Sequence, residues 1–272
     1  MVEVRRVSSA DELREMKRSY LEQATAILDG MWLHGFLPQS SHFAFHEEGA
    51  CIGYCCVNDE GQLLQFFVAP SSEGRASELF DLVTSGASSP VGPTVGSFVS
   101  TAEPRYLSLC LDRYASFEVN ALMYELADGA EVQDPSEGLA MDLVESSQLS
   151  EAVDFAKAAT GAPVEWLEGY FTNLIERREL FGCWESGRLV ATGESRGRED
   201  DVEHVDVGVV VAESERGRGL ATGVLRRLIA SSVADGRKPI CSAEVSNVAS
   251  RTAIGRAGFV ARNRIVRFFD ES

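Results

Sequence analysis

The chain has 272 residues, 44% hydrophobic and 25% charged, enough for one large domain or two of ordinary size and with no collagenous or low-complexity bias. Its formal net charge of -17 argues against nucleic acid as the main partner, because a polyanion is repelled at long range. The longest apolar run, around residues 205–212, is too short for a membrane span, and residues 1–6 carry no apolar signal region, so a cytoplasmic protein with no membrane partner is expected.

In chain order, residues 2–7 read as a strand and residues 11–29 as a helix with Ser8 or Ser9 available as its cap. Residues 42–46 and 50–57 make a hairpin across Glu48-Gly49. A strand over 63–68 runs into Ser71-Ser72-Glu73-Gly74-Arg75, with a helix over 76–84. Residues 98–100 and 106–114 are elements whose type the pattern leaves open, and 116–126 is a strand. The polar, turn-rich stretch 128–138 is the linker candidate, separating expected domains 1–130 and 137–272.

The second half opens with a strand over 139–144 and helices over 148–159 and 164–178, the latter entered through Pro163. A hairpin of 181–185 and 188–195 turns at Ser186-Gly187. Then come a strand over 204–211, a helix over 220–234, a strand over 240–245, a helix over 249–256 and a strand over 261–269. Two hairpins at matching positions, each followed by strand, turn and helix, suggest an internal duplication. Each half is expected to be an α/β domain with a mixed sheet.

Charge is uneven: residues 1–136 carry 8 basic and 20 acidic side chains, residues 137–272 carry 17 and 22. The six cysteines form no CxxC pair or disulfide framework and read as small buried hydrophobes. His42 and His46 lie four apart on a strand, where that spacing builds no zinc site, so no metal is expected.

The most informative run is 207–221. A Val-rich strand leads through Arg216-Gly217-Arg218-Gly219 into a helix beginning Leu220-Ala221. A helix that starts from a glycine turn presents aligned, unbonded N–H groups, which form an anion site. The first half's version, with only Gly74 and Arg75, reads as an ordinary surface loop.

Arg216-Gly217-Arg218-Gly219-Leu220-Ala221 resembles the R/Q-x-x-G-x-G/A motif of the GCN5-related N-acetyltransferases, with Arg216, Gly219 and Ala221 on its defining positions. Asn247-Val248-Ala249-Ser250-Arg251, running to Gly258-Phe259, resembles the family's second signature. The resemblance covers roughly residues 139–269 and implies tandem acyl-CoA N-acyltransferase domains, the first degenerate. It implies acetyl-CoA as co-substrate, its pantetheine arm along the main chain of Val209, Val210 and Val211. The pyrophosphate would meet the N–H groups of Arg216, Gly217, Arg218, Gly219, Leu220 and Ala221; which arginine meets phosphate stays open, and Asn247 fits a cofactor contact and a helix cap equally.

For catalysis, Asp206 is the first choice of base, because a lone carboxylate in a Val-rich strand is costly to bury unless paired or used. His204, two residues earlier, is a candidate relay, and Glu203 and Glu244 are fallbacks. Many relatives carry a Tyr seven residues after the Asn as general acid; here that position is Ile254, with Tyr170 a candidate replacement. Trp166 and Phe171 line either the cleft or the core. The expected reaction is direct attack by a primary amine of a small molecule or peptide N-terminus, in a monomer or homodimer. The alternatives are a non-catalytic acyl-CoA sensor and an enzyme using another acyl-CoA.

Overall fold

The computed structural model describes residues 2–86, 90–132, 139–198 and 201–270. The chain divides into two compact units, Met1–Leu122 with Asn263–Ser272, and Met123–Arg262. The part of the linker candidate at 133–138 lies outside the described residues.

The first unit contains β1 (Glu3–Arg6), α1 (Arg14–Gln23), β2 (Ser41–Glu47), β3 (Ala50–Val57), β4 (Gln62–Val68), α2 (Ala76–Thr84), β5 (Gly96–Ser100) and α3 (Pro104–Arg113), followed by most of β6 (Ser116–Leu126). Ser9 caps the first helical turn: its hydroxyl accepts from Asp11 N–H while the Glu12 carboxylate accepts from Ser9 N–H. The helix expected over 11–29 ends early, at Gln23. Thr25 N–H donates to the Ala102 carbonyl at 2.8 Å, and this tertiary bond draws the chain out at Ala24. Helical turns resume only at Gly30, leading into Trp32–Phe36.

The second unit contains β7 (Asp142–Leu143), α4 (Leu149–Thr160), α5 (Val164–Glu176), β8 (Leu180–Glu185), β9 (Arg188–Gly197), β10 (His204–Val211), α6 (Leu220–Ala234), β11 (Lys238–Glu244) and α7 (Val248–Arg256), and then the start of β12 (Phe259–Phe269). The strand expected over 139–144 shrinks to two residues, Asp142 and Leu143, paired with β8.

Both hairpin turns place two consecutive residues at positive φ, Glu48 (52°) with Gly49 (84°) and Ser186 (51°) with Gly187 (76°). That twist matches the strands it joins. Each unit has a mixed sheet. In the first, β1 to β4 are antiparallel neighbours, β4 and β5 are parallel, and β5 pairs antiparallel with residues 265–269 of β12. In the second, β7 to β10 are antiparallel neighbours and β10 and β11 are parallel.

Side-chain size sets the helix packing in the second unit. A Cβ on Gly193 would stand 2.9 Å from Val224 and 3.3 Å from Leu228, so this glycine lets α6 approach β9. A second core, including Val153, Ala156, Leu167, Phe171 and Leu174, joins α4 and α5 to the sheet around Leu180 and Leu189. Phe171 is therefore core. All six cysteines are free thiols and all but Cys51 are buried.

Candidate functional site

The site of the second unit begins with a parting of strands. β10 is laddered to β9 along nearly its whole length, from Val205↔Gly197 to Val211↔Ala191. Its ladder to β11 stops at Asp206↔Ile240, although both strands continue. One edge of Val207–Val211 is therefore without a strand partner among the described residues, and Val209, Val210 and Val211 are only partly buried. An open edge of N–H and C=O groups is a template for an extended ligand.

The open strand leads to the anion-binding turn. Gly217 (φ 82°) and Gly219 (φ 86°) are both left-handed, and a Cβ on either would meet nothing within 4 Å. The first main-chain bond of α6 runs from Gly223 N–H to Gly219 O at 3.0 Å. The N–H groups of Leu220, Ala221 and Thr222 consequently have no intrahelical acceptor.

The two arginines of the turn differ. Arg218 is forked onto Glu185, 3.0 Å to each oxygen, and also bonds Glu215, which in turn holds Arg188. Donation to Glu185 and Glu215 raises its pKa and commits it to the turn's own carboxylates. Arg216 donates to the Ala159 carbonyl at 3.0 Å and has no carboxylate partner among the described residues. Asn247 caps α7: its side chain accepts from Ser250 N–H at 3.0 Å. Ile254 is buried.

The cross-strand register arranges the polar groups of β9 and β10. Thr192 faces Val210, Glu194 faces Gly208 and Arg196 faces Asp206. Directly opposed residues share a sheet face, so these six line one surface, opposite the face that holds Gly193 and α6. Asp206 lies at the last paired rung, and its Oδ2 is 3.9 Å from Arg198 Nη1; the two side chains are 3% and 2% exposed. His204 Nδ1–H donates to Asp201 Oδ2 at 2.8 Å, and Asp201 also accepts from the His204 main-chain N–H, closing the loop before β10. Glu203 pairs with Lys238 at 3.0 Å and Glu244 accepts from Ser246 at 3.2 Å; both carboxylates are exposed. Asp201 is the described part of the acidic run 199–201.

Glu194 and Arg196 escape a search for isolated motifs, although alternation along 192–196 puts three polar side chains on one face of a strand buried on both. Tyr170 of α5 donates to Glu194 Oε2 at 2.6 Å and accepts from Arg196 Nη1 at 2.9 Å, while Arg196 donates to the same Glu194 oxygen. Burial and the adjacent Glu194 charge raise the Tyr170 pKa. Burial opposes the Arg196 charge, but Glu194 and Tyr170 outweigh it, so its pKa is also raised. Trp166 stacks on Tyr170, centroids 4.8 Å apart at 15°, and is 42% exposed. Thr192 Oγ1 on the same face is buried with no hydrogen-bond partner among the described residues.

The first unit has the same parting without the same room. The β4–β5 ladder stops after Leu63↔Ser97, yet every residue of β4 is buried. Tyr106 donates to the Leu63 carbonyl at 3.0 Å, and Tyr20 donates to the buried Glu103, which accepts from Ser100 N–H at 2.7 Å. Gly74 is not left-handed, and Arg75 is held by Glu47 and Glu78.

A parted parallel strand pair whose longer arm ends in a left-handed glycine turn at a helix start is the arrangement that the resemblance to acyl-CoA N-acyltransferases implies. Two family models match, an acetyltransferase (GNAT) domain over residues 9–127 and the acetyltransferase (GNAT) family over residues 149–259. The chain is 41% identical to an acetyltransferase of the GNAT family from Colwellia psychrerythraea, covering 99% of this chain and 100% of that one at a TM-score of 0.94. It shares its fold with a GCN5-related N-acetyltransferase from Sphaerobacter thermophilus (16% identity, 98% and 94% covered, TM-score 0.69). A tandem GNAT protein from the clavulanic acid biosynthesis pathway is alike in the same way (13%, 98% and 98%, 0.67). No match was found among the curated proteins. The chain belongs to the GNAT acetyltransferase family, with two such domains in tandem and a divergent first domain. Acyl transfer from an acyl-CoA is the chemistry of this family.

Proposed function

We propose that the second unit transfers an acetyl group from acetyl-CoA to a primary amine of a small molecule or peptide N-terminus. The observation that carries this reading is the open edge of Val207–Val211 running into Gly217 and Gly219, whose Cβ positions are empty. Extended pantetheine would pair with the main chain of Val209, Val210 and Val211. The pyrophosphate would accept from the N–H groups at 216–221, with Arg216 supplying a charge that no carboxylate among the described residues offsets.

The acceptor has to lose a proton before it attacks. A lysine-like amine of pKa about 10.4 costs roughly 4.6 kcal/mol to deprotonate at pH 7, an α-amine near 7.8 only about 1. A carboxylate near the parting is therefore most useful for alkyl amines. Asp206 and His204 stand at the closed end of the slot, where the proposed part of Asp206 is electrostatic, through Arg196 and Arg198. Asn247 supports the turn side of the site as the cap of α7.

Titration of CoA into wild type and Gly219→Trp tests the site. Micromolar binding lost in the variant supports it, and equal binding refutes it. The buried Ile254, where relatives carry an acid, favours a second reading, an acyl-CoA sensor without turnover. Saturable binding with no amine-dependent thiol release would select that reading. Comparing acetyl-, propionyl- and succinyl-CoA would assign the acyl group.

A further inference from the structure

We infer that Glu194 is the proton acceptor of the transfer reaction, held in place by Arg196 and Tyr170; this rests on the proposed acyl transfer in the second unit. Both Asp206 and Glu194 point to the same face, but Asp206 opposes Arg196 on the last rung of the closed strand pair, where it is sealed with Arg198. Glu194 opposes Gly208, two residues farther on, past the point where β10 and β11 part.

Glu194 is buried, 7% exposed, and only Gly208 stands between its carboxylate and the slot. A Cβ at this position would lie 3.4 Å from Glu194 Oε2 and 3.4 Å from Arg196 Nη1, so the strand leaves bare main chain beneath the acid. A bulkier residue would separate the carboxylate from an acyl group lying on β10. On its other side Glu194 is joined through Tyr170 to Trp166, which is 42% exposed and provides a solvent-facing aromatic wall for an approaching amine. The groups around Glu194 are Tyr170 from α5, Arg196 from its own strand and, beyond Arg196, Asp206 from β10 and Arg198. Two donors on Oε2 fix the carboxylate orientation, and Oε1 accepts no hydrogen bond among the described residues.

The protons balance without another reactant beyond the acyl-CoA. An ammonium acceptor gives one proton to Glu194. The neutral amine then forms the C–N bond as the C–S bond breaks, its second proton goes to the departing thiolate, and Glu194 releases its proton to solvent. Arg196 and Tyr170 are positioning residues, since they act through the carboxylate.

The test is the pH profile of thiol release from acetyl-CoA, pH 5.5–9.5, with 2-phenylethylamine, spermidine, glycinamide and water as acceptors. Wild type should release thiol with the amines and not with water. Glu194→Gln should bind CoA as wild type does and fall about 10²–10⁴-fold in kcat with 2-phenylethylamine at pH 7, but less with glycinamide, whose amine is already largely neutral there, and the deficit should narrow toward pH 9.5 as the acceptor deprotonates itself. Tyr170→Phe and Asp206→Asn, the latter assayed below its melting temperature, should lower kcat by a factor that is the same for both amines and at every pH. A Glu194→Gln deficit independent of acceptor and pH, or an Asp206→Asn deficit that narrows with pH, overturns the inference. CoA binding with no thiol release to any acceptor overturns it as well, whereas failure of wild type to bind CoA overturns the acyl-transfer reading beneath it.

Discussion

Gly219→Ala is the most direct probe of the turn. Gly219 has φ 86° and ψ 1°, and an L-residue held left-handed costs roughly 1–2 kcal/mol. No clash adds to this, because a Cβ there meets nothing within 4 Å. For a domain of about 150–250 residues, 1 kcal/mol corresponds to roughly 2–4 °C, so the transition of the second unit should fall by roughly 2–8 °C in calorimetry. Gly74→Ala is the matched control: its site is equally open but not left-handed, so the substitution should be neutral or stabilise by up to about 1 kcal/mol. CoA affinity should fall in Gly219→Ala and not in Gly74→Ala. An unchanged or raised melting temperature for Gly219→Ala would refute the left-handed turn, and equal loss of affinity in both variants would refute the assignment to the second unit.

Further predictions concern buried charge and capping. Burial raises the Glu103 pKa to about 7, from an ordinary value near 4.5. The folded state therefore binds more protons than the unfolded one between these values, and stability relative to Glu103→Gln should decline by about 3 kcal/mol as pH rises from 4.5 to 7. A difference that is flat, or that grows with pH, in denaturant titrations contradicts this. Asp206→Asn removes one partner of a buried pair and should destabilise by about 3 kcal/mol; Arg198→Met in addition should recover part of that loss by urea unfolding. Ser9→Ala removes the capping box before α1 and should cost about 1 kcal/mol, with the Tm of the first unit as the readout.

The local features of this fold were readable where local chemistry decides them. Two-residue turns at Glu48-Gly49 and Ser186-Gly187 fixed the hairpins, and the span of α6 follows from the turn before it and the apolar spacing within it. The pattern over 11–29 overstates the helix because nothing near Ala24 announces a bond to Ala102, 77 residues away from Thr25. The parting of β10 from β11 depends on pairing between separate strands and has no local signature. The same holds for the polar face: Tyr170, Glu194 and Asp206 are dispersed in sequence and converge only through register and the seating of α5. Asn247 illustrates the reverse, a motif residue whose visible bond is a plain helix cap.

The pairing of β5 with the second half of β12 imposes an order on biosynthesis. Ser100 is laddered to Ile265, a partner that leaves the ribosome 165 residues later. At about 5–20 residues per second, the sheet of the first unit waits roughly 10–30 s for that strand. During this interval β5 offers an unsatisfied edge of Gly-Ser-Phe-Val-Ser to whatever is nearby. The nascent first unit is thus the aggregation-prone stage of this protein's life, and chaperone demand should peak before translation finishes rather than after release.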